Sequence, residues 1–292
     1  MLHRFIGRSH FCALVVALLL AHGSVAAQTP AKGQRVFYSG HSFHYFMPPI
    51  LAQMAKSAGI KDHTQVGLSA IGGSRVIQHW NVPEAKNKAK TALMSGKVDV
   101  FTMAPIFLPD EGIENFVKLA LEHNPKIRIL VQENWLPWDH YDPRFKAPKD
   151  KVDHNAPTVE SLQRMHAPYF KSIEEHVTEL NKKYETRAIH IAPVGQAVIA
   201  LRTKILAGEA PGLKQQADLF YDAIGHAKAP LVALVGYCYY ASIYLRSPVG
   251  LPLPEVLDYG NPEVQGKLNR VLQEIAWEAV TSHPMSGVKA VK

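Results

Sequence analysis

The residues with the clearest chemical potential lie at opposite ends of the chain. Arg35 to His44 reads RVFYSGHSFH, an apolar run from Val36 to Tyr38 that ends in Gly40-His41-Ser42. A helix-like stretch, Pro49 to Ser57, follows. Strand, tight turn and helix in that order can lift a serine hydroxyl out of the end of a sheet, the geometry of a nucleophile elbow. A serine nucleophile needs an imidazole to take its proton and a carboxylate to hold that imidazole in the right tautomer. Tyr221-Asp222-Ala223-Ile224-Gly225-His226 carries both, four residues apart, just before a helical pattern. Each signal has a plain alternative: a turn serine that caps the next helix, and a helix-capping Asp beside a surface His.

These residues need a scaffold, and the pattern of the chain suggests one. Short apolar runs at Thr64–Leu68, Val98–Met103, Ile127–Val131 and Ala188–Ala192 read as further strands. Between them, Glu84–Ser95, Glu111–His123, Thr158–Lys183 and Gln196–Leu206 read as helices, with a break or kink expected at Pro168. Leu231–Tyr244 is an apolar stretch and Val264–Ser282 a closing amphipathic helix. Alternating strands and helices predict a three-layer α/β/α sandwich around a parallel sheet of about five strands. Ligands bind beyond the carboxyl ends of such strands. Gly40-His41-Ser42, Gly72-Gly73 and Gln132–Trp135 all fall at those ends. From Trp135 to Pro157 the chain is loop-like and rich in proline, a length that often marks a binding loop or lid.

The first 27 residues read as a secretory signal peptide. Arg4 and Arg8 precede an apolar run, Phe11–Ala21, and Val25-Ala26-Ala27 offers small residues for cleavage. An exported product with no membrane anchor is expected, one domain over 28–292. Those first residues hold two arginines and no acid, so the formal charge falls from +7 to +5. The excess is spread over lysine clusters at 86–90 and 146–151 that lack interleaved aromatics, which argues against nucleic acid. Only Cys238 remains after cleavage, so no intramolecular disulfide can form.

An exposed Ser after the first strand, a Gly after the second and an Asp/His pair near the end together resemble the SGNH (GDSL-type) hydrolases. Gly40-His41-Ser42 resembles that family's first block and Gly72-Gly73 its second. Asp222 and His226 resemble its last block, with one residue more between them than the usual Asp-x-x-His. NPKIRILVQENWLP and YLRSPVGLP are similar to segments of exported members. The resemblance implies the flavodoxin-like strand order and a serine esterase that needs no cofactor. Ser42 would be the nucleophile, His226 the general base and Asp222 its orienter, with the Ser42 and Gly73 N–H groups as oxyanion donors. It implies a small ester as substrate, an acetyl group on a carbohydrate being one such case. One element is missing. The family's third block brings an Asn side chain after the third strand, where this chain reads Phe101-Thr102-Met103-Ala104-Pro105. Gln132, Asn134 and Gln196 lie at other strand ends and are the candidates to replace it; failing that, the chain would be an inactive protein that binds a carbohydrate or small ligand in the same cleft.

Other side chains near these strand ends are candidates for the pocket wall: His41 and His44 flanking Ser42, and Trp135 and Trp138 after the fourth strand. His41 and His44 with Asp139, His140 and Asp142 also form a set that a metal could use, although close pairs are expected among 15 histidines. No metal is expected.

Overall fold

The structure is a computed structural model that describes residues 31–290. The signal segment expected at 1–27 lies outside the described residues. Five parallel strands form one sheet: β1 (Arg35–Gly40), β2 (Thr64–Ala70), β3 (Val100–Met103), β4 (Arg128–Gln132) and β5 (Ile189–Ala192). Their order is β2-β1-β3-β4-β5, the flavodoxin-like arrangement. β1 and β3 through β5 are largely buried on both faces because helices cover both, as parallel sheets require.

Alternate residues of each strand divide the core in two. Val36, Tyr38, Val100, Leu130 and Ala192 face α1 (Met47–Ser57), α6 (Val194–Leu206), α7 (Ala229–Tyr244) and α8 (Pro262–Ser282). Phe37, Phe101, Ile129, Val131 and Ile191 face α2 (Val76–Trp80), α3 (Lys88–Met94), α4 (Glu111–His123) and α5 (Val159–Lys183). The result is a three-layer α/β/α sandwich. The connection from β1 crosses one face and those from β2, β3 and β4 the other. The switch opens a crevice beyond the ends of β1 and β3, where ligands settle in such sheets.

Three local readings need correction. The helix expected over Glu84–Ser95 is a short 3-10 turn, Glu84–Lys86, and then α3. Asn87 interrupts it: its Oδ1 accepts from the Lys90 N–H at 3.0 Å, a helix cap, while its Nδ2 donates to the His79 carbonyl. α2 was not expected at all, since five residues are too few to show a period. α5 runs unbroken through Pro168. Its stripe of Leu162, His166, Tyr169, Ile173, Val177 and Leu180 is buried along the whole length, and that packing outweighs the ladder bond a proline removes. Among the described residues, no helix is long and apolar enough to cross a membrane.

Candidate active site

The nucleophile turn is built at the end of β1. A Cβ on Gly40 would lie 2.9 Å from the His44 ring and 3.0 Å from Ala104, so only glycine lets the strand end lie this close to its neighbours. The His41 carbonyl then accepts the N–H groups of His44 and Tyr45, at 2.9 and 3.0 Å, and the chain winds into α1. Among the described residues, Ser42 is not one of those with positive φ. The serine is therefore lifted without the backbone strain of a nucleophile elbow.

Asp222 and His226 sit on a hairpin that leads into α7, just before that helix as expected. Phe220 bridges Ala227, and the Tyr221 N–H donates to the His226 carbonyl at 2.8 Å. Gly225 turns the chain at φ +97°, a region that L side chains rarely adopt. Inside the turn, Asp222 Oδ1 accepts the main-chain N–H groups of Gly225 and His226. Its Oδ2 lies 2.6 Å from His226 Nδ1, and His226 Nε2 lies 2.8 Å from Ser42 Oγ. Partial burial pushes the Asp222 carboxyl up, but the bonds from His226 and the turn outweigh it and hold the group below its ordinary 3.8. An ionised carboxylate only accepts, so Nδ1 carries the proton and Nε2 is left to take one from Ser42.

A cavity of about 290 Å³ opens beside this chain, walled by Phe43, Ile106, Trp135, Leu136, Phe145 and Ile224. Gly72 and Gly73 line it, Gly73 at φ +58°. Among the described residues, neither the Ser42 nor the Gly73 N–H is spent on a protein acceptor, which leaves both for an oxyanion. The turn that carries Gly73 is pinned by His79, whose two ring nitrogens each lie 2.7 Å from a hydroxyl, Ser69 and Ser74. Ser74 gives its proton to the Ile71 carbonyl at 2.8 Å. His79 Nε2 must therefore donate to Ser74, and Nδ1 accept from Ser69. Burial pushes His79 down to about 4, which keeps it neutral.

The polar strand-end residues divide differently from expectation. Asn134 lines the cavity, but Nδ2 donates to the Pro105 carbonyl at 2.7 Å and to Tyr169 Oη at 3.2 Å. Both of its N–H bonds are committed, and as placed it is not a free oxyanion donor. Gln132 fastens the nucleophile turn instead: Nε2 donates to the Phe43 carbonyl at 3.1 Å, and Oε1 accepts from His44 Nδ1 at 3.0 Å. Gln196 belongs to a separate groove between α5 and α6, and bonds to Glu133 there. His44 is not a pocket residue. It is fully buried, with Nε2 accepting from Thr102 at 2.8 Å, because its side chain follows the turn back into the core. Trp138 stands outside the cavity wall, packed on Phe145 with 5.0 Å between ring centroids. His41 and Trp135 do line the cavity.

Three of the five residues weighed as metal ligands are otherwise engaged, while His41 Nε2 is buried without a partner among the described residues. Both nitrogens of His44 are bonded within the core, Asp139 pairs with His154 and Arg202, and Asp142 pairs with Arg144. Elsewhere Glu133, Glu174 and His283 converge. There His283 Nδ1 accepts the Met285 N–H at 3.1 Å, which puts its proton on Nε2, the atom that would have to ligate.

The sequence reading missed His79, Phe145, His154, Tyr169 and Arg202. Only His79, six residues after Gly73, carried a local hint.

No family model matches the chain, and no curated protein matches it. One solved chain is similar over 73% of this chain and 97% of its own, with 10% identity and a TM-score of 0.39. A likeness that slight carries no argument about function.

Proposed function

We propose that this protein is an exported serine esterase of SGNH type, acting through an acyl-enzyme on Ser42. The observation that carries the reading is the unbroken chain from Asp222 through His226 to Ser42, at 2.6 and 2.8 Å, beside a cavity of about 290 Å³. Ser42 Oγ attacks the ester carbonyl as His226 Nε2 takes its proton. The oxyanion rests on the Ser42 and Gly73 N–H groups, donors of a kind worth roughly 3 kcal/mol each. His226 then protonates the departing alkoxide. A water attacks the acyl-enzyme by the same proton route and frees the acid. The steps need no cofactor.

The cavity favours an apolar acyl group. Its wall is aliphatic and aromatic, and the polar groups of Asn134 and Tyr169 are spent on each other and on Pro105. At about 30 Å³ for a water-sized group, 290 Å³ holds a medium-length or aromatic acyl chain and far exceeds an acetyl group. The leaving alcohol must lie beside His226, whose side chain is 34% exposed, with Asp222 at 46%. The alcohol side thus opens to solvent, and a carbohydrate fits there.

Labelling by a serine-directed fluorophosphonate tests the reading. Wild type should label, and Ser42→Ala and His226→Ala should not. Among p-nitrophenyl esters, six- to ten-carbon chains should be hydrolysed faster than acetate. A wild type that stays unlabelled while Ser42→Ala still binds those esters would instead mark a non-catalytic binding protein, the reading that the committed Asn134 favours.

A further inference from the structure

We infer that His154, in the loop between β4 and α5, is a positioning residue for the triad. It acts as an imidazolium clamped between the Asp139 carboxylate and the main-chain carbonyl of Asp222. Nδ1 lies 2.8 Å from Asp139 Oδ2 and Nε2 2.9 Å from the Asp222 carbonyl oxygen. Both neighbours are oxygens that only accept, so both ring nitrogens must carry hydrogen. His166, in the same region, shows the contrast. Its Nε2 accepts the Leu136 N–H and its Nδ1 donates to the Leu162 carbonyl, an arrangement that only the neutral ring satisfies.

The clamp is rigid at its far end. Arg202 of α6, 1% exposed, grips Asp139 through two nitrogens at 2.5 and 3.0 Å and also donates to the His154 carbonyl at 2.8 Å. Asp139 itself is held at φ +49°, a left-handed conformation that costs an Asp of order 1 kcal/mol and persists only where surrounding bonds fix it. The charged groups facing His154 are Asp139 and Arg202; from the hairpin it meets the Phe220 ring, at 4.4 Å, and the Asp222 carbonyl. Burial pushes the imidazole down, but the bonds to Asp139 and Asp222 outweigh it and raise the group above its ordinary 6.5.

When His154 loses a proton, the Nδ1–H stays on the carboxylate, the stronger acceptor. The Nε2 lone pair then faces the Asp222 carbonyl, and the hairpin bearing Asp222 and His226 is released. The triad is therefore held on the acid side of this titration and loosened on the alkaline side. The effect on turnover rests on the esterase reading; the clamp does not.

Two measurements separate them. Histidine ring ¹⁵N shifts should show His154 holding its proton to higher pH than a free histidine does. The downfield proton shared by His226 and Asp222 should broaden as His154 titrates. In fluorophosphonate labelling, His154→Asn reaches Asp139 alone and should react at least tenfold more slowly. His154→Gln keeps a donor over Asp222 that cannot titrate, and should label within threefold of wild type without its alkaline fall. A His154 that titrates no higher than a free histidine, or an alkaline fall that persists in His154→Gln, overturns the proposal. If His154→Asn does not fold, the His154→Gln profile decides alone. If wild type never labels, the esterase reading fails and the ring shifts still decide the clamp.

Discussion

Trp135 lies flat on Phe43, with 4.3 Å between ring centroids and 8° between planes. The same indole donates from Nε1 to the Gly225 carbonyl at 2.9 Å. One side chain therefore touches the residue after Ser42 and the residue before His226. Trp135→Phe keeps the stacking and loses that hydrogen bond, so stability should fall by about 1 kcal/mol and labelling several-fold. Trp135→Ala removes both and should cost 3–5 kcal/mol. Thermal melts run beside labelling rates check the pair; equal rates in Trp135→Phe and wild type would show that the bond does not place His226.

Asp222→Asn should lower kcat by about 10³ to 10⁴ by holding the wrong tautomer of His226. The side chain is half-exposed, so the melting temperature should change little. Steady-state kinetics on the preferred ester would register the loss, with KM nearly unchanged.

Asn134→Ala discriminates between a donor and a scaffold. An oxyanion donor costs about 10² to 10³ in kcat when removed. Asn134 has both N–H bonds committed, to Pro105 and Tyr169. We expect a fall of less than tenfold in kcat, with a stability loss of about 1–3 kcal/mol from the buried partners left unpaired. Kinetics and urea denaturation of the same preparation tell the two apart.

Acid should weaken the fold before carboxylates titrate. Burial pushes His41 down to about 3 and His44, His79 and His166 to about 4, each 4% exposed or less. These groups stay neutral when folded and take protons when unfolded. Their contribution is therefore complete above about 6.5 and is lost as pH falls toward 4. Each can remove up to about 1.4 kcal/mol per pH unit. His154 works in the opposite direction, stabilising most at low pH and less as pH rises through its raised value. One such group against four leaves a net fall, visible as a lower urea midpoint at pH 5 than at pH 7.

Much of the scaffold was legible because its causes are local. Continuous apolar runs mark strands covered on both faces, and glycine or asparagine marks their turns. Ser42 and the Asp222/His226 pair stood out because they place a hydroxyl at a strand end and a carboxylate with an imidazole in a late turn. What local pattern could not decide is where each remaining polar side chain spends its hydrogen bonds. Gln132, Asn134 and Gln196 occupy equivalent places in the sequence. Yet one fastens the nucleophile turn, one lines the cavity with both N–H bonds committed, and one faces a different groove. His44 and Trp138 were drawn off in the same way, into the core and behind Phe145.

Local pattern along the chain was enough to order the strands and most of the helices, and to name the residue types delivered to the carboxyl ends of the sheet. That His226 meets Ser42 across 184 positions of chain, and that His154 meets Asp139 and Asp222, 15 and 68 positions away, follows from packing alone. The reason is physical. A strand or helix is selected by neighbours a few residues off. The state of a buried imidazole is selected by whichever donors and acceptors the packed fold brings against it, and those come from elements that no local period relates.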